Sequence, residues 1–78
     1  MRTFEARRNR RGQVVAVGPA REIASAVGEL AELVAPDGQR AFGRIHSTGR
    51  AWTDPHSGET HAYGYLDPTS ITDPVGSA

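Results

Sequence analysis

The chain contains no cysteine, which excludes disulfide staples, thiolate nucleophiles and every cysteine-based zinc motif. It contains no lysine either. All nine basic residues are arginine, a bias expected of a GC-rich bacterial coding sequence. Aromatic side chains make up only 6% of the residues, so where these few lie decides much of the core. No stretch approaches the roughly 18 to 20 apolar residues that span a bilayer, and the N-terminus lacks the apolar segment of a signal peptide. A cytoplasmic protein with no membrane partner is the expectation.

Seventy-eight residues, 37% of them hydrophobic and many of those alanine, give room for one small domain with little apolar volume per buried position. A partner or a second copy would supply further burial. The formal net charge is zero, but it is unevenly laid out. Residues 1 to 11 carry Arg2, Arg7, Arg8, Arg10 and Arg11 against Glu5 alone, and the remaining residues carry an excess of acids. Such asymmetry can mark a nucleic-acid arm or a surface for an acidic partner.

Periodicity predicts the elements. Residues 3 to 7 alternate and suit a strand with Phe4 and Ala6 inward, Asn9 to Gly12 is a turn, and Gln13 to Val17 is a β-branched second strand. Gly18-Pro19 opens a helix expected to run over residues 19 to 35, with Ile23, Val27, Leu30 and Val34 as a buried stripe and Pro36 beyond its end. Residues 40 to 46 read as a strand with a bulge at Gly43, Ser47 to Gly49 as a turn, 50 to 53 as a short strand, Asp54 to Gly58 as a tight turn and 59 to 66 as the last strand. The fold class is therefore α+β: a single amphipathic helix packed on a mainly antiparallel sheet, in the order ββαβββ. The domain is expected to span residues 1 to 68, with a flexible tail over 69 to 78.

Catalytic chemistry finds no foothold. His56 and His61 bracket a turn beside Asp54 and Glu59, but the hairpin register sends them apart and no spacing matches a zinc site. Ser47, Ser57 and Ser70 lack a glycine elbow or a placed base, and no glycine-rich loop opens a helix onto an anion. Neither an enzyme nor a bound cofactor or metal is expected.

Two surfaces remain. Counting back from the last turn pairs Trp52 with His61 and puts Arg50, Trp52, His61, Tyr63 and Tyr65 on one face of the hairpin, with Ala51, Ala62, Gly64 and Leu66 on the other. The small residues would admit Leu30 and Val34 of the helix, leaving an arginine, tyrosine and tryptophan face with the composition of an interaction hot spot. The competing assignment makes those aromatics the core, because aromatics dominate core burial. The second surface is the N-terminal hairpin tip, where Arg7, Arg8, Arg10 and Arg11 could neutralise phosphates. The expected function is a small non-enzymatic regulatory module, an accessory or inhibitor protein, acting through contact with another protein or with itself as a homodimer. The alternative is a small nucleic-acid-binding protein using the basic hairpin.

Overall fold

A computed structural model describes residues 1 to 71. The element order is β1 (Thr3–Arg8), β2 (Val14–Pro19), α1 (Ala20–Ser25), β3 (Leu30–Val34), β4 (Arg40–Thr53), β5 (Thr60–Leu66) and a 3-10 turn at Pro68–Ser70. The strands close into a barrel in the order β1-β2-β5-β4-β3. Four neighbouring pairs are antiparallel and the closing pair, β1 with β3, is parallel. The α+β class, the mainly antiparallel sheet and the order ββαβββ are thus present, although the residues that fill this order differ from those expected.

The helix is one such difference. It ends at Ser25 instead of running to Ala35, because Gly28 adopts φ +89° and reverses the chain, donating its amide to Ile45 O at 2.7 Å. The stripe Ile23, Val27, Leu30 and Val34 consequently splits. Ile23 is buried, whereas Val27 and Leu30 are 42% and 39% exposed. Leu30–Val34 is a strand, and its alternation sends Ala31 and Leu33 into the core. The same segment satisfies both periods: i, i+4, i+7 over the large aliphatics, and period two over Ala31 and Leu33. The positive-φ glycine decides for the strand. Arg2 fixes the short helix by donating from Nη1 to Glu22 O at 2.9 Å and to Ser25 Oγ.

The expected strands at 40 to 46 and 50 to 53 are one strand of 14 residues, Arg40–Thr53. Ser47-Thr48-Gly49 does not turn the chain. Its extra residues are taken up as two register shifts against β5, between Ile45 and Ser47 and between Thr48 and Ala51, each of which bends and twists the strand without breaking it. Gly43 is in regular register opposite Ala31. The bulge expected there lies further along, so Gly43 and Ile45 both face inward.

Phe4, Ala16, Ile23, Ala26, Ala31, Leu33, Ile45 and Leu66 form the interior, with Ala6 and Val14 packed against it. Gly64 makes room for Ile23 and Ile45, since a Cβ there would lie 3.3 and 3.4 Å from their Cγ2 atoms. That space was expected to receive Leu30 and Val34. Residues 69 to 71, placed by sequence in the tail, stay against the barrel: Ser70 Oγ accepts the Arg44 amide at 2.8 Å. The rest of the expected tail, residues 72 to 78, lies outside the described residues. Among the described residues no helix is long and apolar enough to cross a membrane.

Candidate binding face

The last hairpin is built by its turn. Asp54 Oδ1 accepts the His56 amide at 2.9 Å, Gly58 N donates to Asp54 O at 2.8 Å, and Gly58 takes φ +73°. This Asx-type turn fixes the register, because Asp54 N then meets Glu59 O at 2.8 Å and every pair behind it follows. Thr53 lies opposite Thr60, Trp52 opposite His61 and Ala51 opposite Ala62.

The register puts the aromatic residues on the outside of the barrel. Ala62, Gly64 and Leu66 are buried on the inner side, while His61 and Tyr63 are half-buried and Tyr65 is 41% exposed. Trp52 stacks on His61 with centroids 6.0 Å apart and an interplanar angle of 28°, and its ring lies 4.8 Å from that of Tyr63, tilted by 48°. Both distances fall in the range of favourable aromatic pairs. Tyr65 lies separately over Gly49, where a Cβ would come within 2.6 Å of its ring. Arg50 is exposed at the rim, in the second register shift.

Sequence reasoning missed what lies beside these rings. Val15 and Val17 flank the inward Ala16 on β2, so they point outward, opposite Tyr65 and Tyr63. They are nonetheless only 2% and 8% exposed. In register on their other side are Arg7 and Glu5 of β1. The outer face of β1, β2, β5 and β4 thus carries a second apolar layer, covered by long side chains. The signal was present as the unbroken run Val14-Val15-Ala16-Val17, which buries both faces of β2.

The basic hairpin is more occupied than its sequence suggests. Arg7 Nε donates to Glu5 Oε2 at 2.7 Å, and this bond and the Glu5 charge hold the guanidinium above its ordinary pKa, with Tyr63 adding a smaller pull. Arg8 Nη1 donates to Gly12 O at 2.7 Å within its own turn. Asn9 Oδ1 organises that turn by accepting the amides of Arg11 and Gln13. Of the hairpin's four arginines, Arg10 and Arg11 have guanidinium groups that make no bond among the described residues.

No family model, curated protein or solved structure matches the chain. The site is therefore read from its own geometry. His61 Nε2 lies 3.8 Å from Glu59 Oε2, and His56 is exposed in the turn; among the described residues no three His, Cys, Asp or Glu side chains gather as metal ligands. The arrangement offers aromatic surface, a cation at Arg50 that has no partner among the described residues, and hydrogen-bonding rims, which suits molecular contact.

Proposed function

We propose that the protein is a non-enzymatic binding module, an accessory or inhibitor protein that works by occupying another protein through the outer face of β4 and β5. The observation that carries this reading is the Trp52, His61 and Tyr63 stack, which stands outside a barrel whose interior is already filled by aliphatics and Phe4. Tryptophan, tyrosine and arginine together at a partly exposed face are the usual makings of a contact hot spot. Alignment of the rings by one another and by the strand pairs lowers the entropy lost on binding.

Affinity capture from nuclease-treated bacterial lysate, with wild type and Trp52→Ala as parallel baits, tests the reading. The partner retained by wild type should be lost with the variant. Its affinity should fall by about 2 kcal/mol or more while the thermal midpoint of the isolated domain stays nearly constant. A Trp52→Ala variant that instead loses about 3 to 5 kcal/mol of folding stability would return the ring to the core.

The nucleic-acid alternative rests on the hairpin tip, where Glu5 and Gly12 already engage Arg7 and Arg8. With Arg7 paired to an acid and the charges of Arg8, Arg10 and Arg11 left for phosphates, the logarithm of affinity for duplex DNA should fall with a slope of about −2.7 against log salt, three quarters that of four free arginines. A slope near −3.6 by fluorescence anisotropy would favour nucleic acid instead.

A further inference from the structure

The barrel is not closed along the whole of β4. Residues Arg40–Arg44 pair with β3, and Ile45 still exchanges bonds with the loop after α1, accepting from Gly28 N and donating to Glu29 O. Beyond Ile45, β4 runs eight residues further with β5 on one side only. Among the described residues no hydrogen bond reaches the other edge, and Thr48, Arg50, Ala51 and Thr53 are exposed.

The ladder shows which groups face that edge. Asp54 N bonds Glu59 O, so in an antiparallel pair Asp54 and Trp52 direct their backbone groups to β5, and the alternate residues, Ala51 and Thr53, direct theirs outward. A row of alternating unpaired amides and carbonyls at strand spacing is matched along its length by another extended backbone.

We propose that the occupant is a second copy of this chain, added edge to edge along β4 about a two-fold axis at Trp52. The proposal rests on the protein-contact reading of this face and specifies its partner. The register follows from charge and hydrogen bonding together. Centring on Trp52 sets Ala51 of each copy opposite Thr53 of the other, so all four outward backbone groups of each edge are satisfied. It sets Arg50 of each copy opposite Asp54 of the other, on the same face as the rings. Centring on Arg50 would oppose the two arginines, and centring on Ala51 would leave Arg50 without an acid. The chosen register also uses the stretch of β4 just past the second bulge. The two Trp52 residues become a non-hydrogen-bonded pair, the closer type of cross-strand contact, joining both aromatic stacks into one row. Opposite charges and aromatics directly across a strand pair are the favourable combinations.

Sedimentation of the full chain from micromolar to millimolar concentration should show a reversible monomer to dimer equilibrium. Arg50→Asp faces Asp54 of the other copy with a like charge twice over, and should weaken the dimer about tenfold or more. Adding Asp54→Asn, which keeps an oxygen for the His56 amide, should recover much of that loss. Thr53→Pro removes an outward amide and spares every backbone bond from β4 to β5, losing there only the exposed Thr53 Oγ1 to Thr60 Oγ1 contact at 3.3 Å, and should abolish dimerisation with the monomer's thermal midpoint nearly retained. A wild type that stays monomeric, or an Arg50→Asp dimer that Asp54→Asn does not strengthen, overturns the proposal. Iodide quenching in the same samples separates this from failure of the wider reading. A monomeric wild type with quenchable Trp52 eliminates the second copy and leaves the face to another protein, whereas a blue-shifted, unquenched Trp52 in the monomer eliminates both.

Discussion

Gly18 and Gly49 meet the same obstacle with opposite consequences. A Cβ at Gly18 would lie 2.6 Å from Phe4 Cδ1, and one at Gly49 would lie 2.6 Å from Tyr65 Cε2. Phe4 is buried in the interior and has nowhere to go, so Gly18→Ala should cost about 1 to 3 kcal/mol in chemical denaturation. Tyr65 is 41% exposed and can swing away, so Gly49→Ala should cost under about 1 kcal/mol and instead alter the tyrosine's near-ultraviolet signal. The two leucines of β3 divide similarly. Leu33 is fully buried and Leu30 is 39% exposed; Leu33→Ala should cost about 2 to 5 kcal/mol and Leu30→Ala much less, measured as shifts of the denaturation midpoint.

Among the elements, the 3-10 turn at Pro68–Ser70 acts as a latch on β4. Asp67 Oδ1 accepts from Thr69 Oγ1 at 2.8 Å and from Thr69 N at 3.0 Å, Asp67 N donates to Arg44 O, and Ser70 Oγ takes the Arg44 amide. The Thr69 bonds hold the Asp67 carboxyl below its ordinary pKa. A depressed folded-state pKa gives stability that is present above the unfolded value of about 3.9 and lost as pH falls through the folded one. The difference in thermal midpoint between wild type and Asp67→Ala should therefore hold at neutral pH and close only below about pH 3.9. How far such elements are legible in sequence depends on whether one local interaction decides them. The last hairpin was readable because the Asp54 to Gly58 turn fixes its register, and with it the placement of Trp52, His61 and Tyr63. Residues 26 to 34 were not, because helix and strand patterns coincide there and the choice rests on the Gly28 reversal and on pairing with β1, 29 residues away at Thr3 and Glu32. Ser47 to Gly49 misled for a related reason: turn-forming residues in a strand also make bulges, and only the partner strand distinguishes the two. The second apolar layer needed the barrel's lateral neighbours and so could not be read from β4 and β5 alone, whereas the engagement of Arg7 by Glu5 is a local pair two residues apart on β1.

At the scale of the molecule, an alanine-rich chain solves its shortage of apolar volume by narrowing the space to be filled. Ala16, Ala26, Ala31 and Ala62 are buried together with Gly18, Gly43 and Gly64, drawing the strands and the helix in around Ile23, Leu33, Ile45 and Phe4. The cylinder closes at the short parallel seam, where only Thr3, Phe4 and Glu5 meet Glu32, Leu33 and Val34 and Glu32 N donates to Arg2 O at 2.8 Å. Parallel pairs are slightly weaker per residue than antiparallel ones, and this one joins chain segments far apart in sequence. Local fluctuations should therefore begin here. In native-state hydrogen exchange, the Glu32 amide should open with a free energy below that of the β2 and β5 centre around Ala16 and Gly64, and respond weakly to denaturant, the signature of a small sub-global event. A barrel that breathes along one seam frees only the β3-facing edge of β1, which stays paired to β2 from Glu5 to Arg8, and so becomes for a moment an open sheet with two bare edges. Two copies opened in this way at high concentration can close β1 of one on β3 of the other, a route to oligomers distinct from edge pairing at β4.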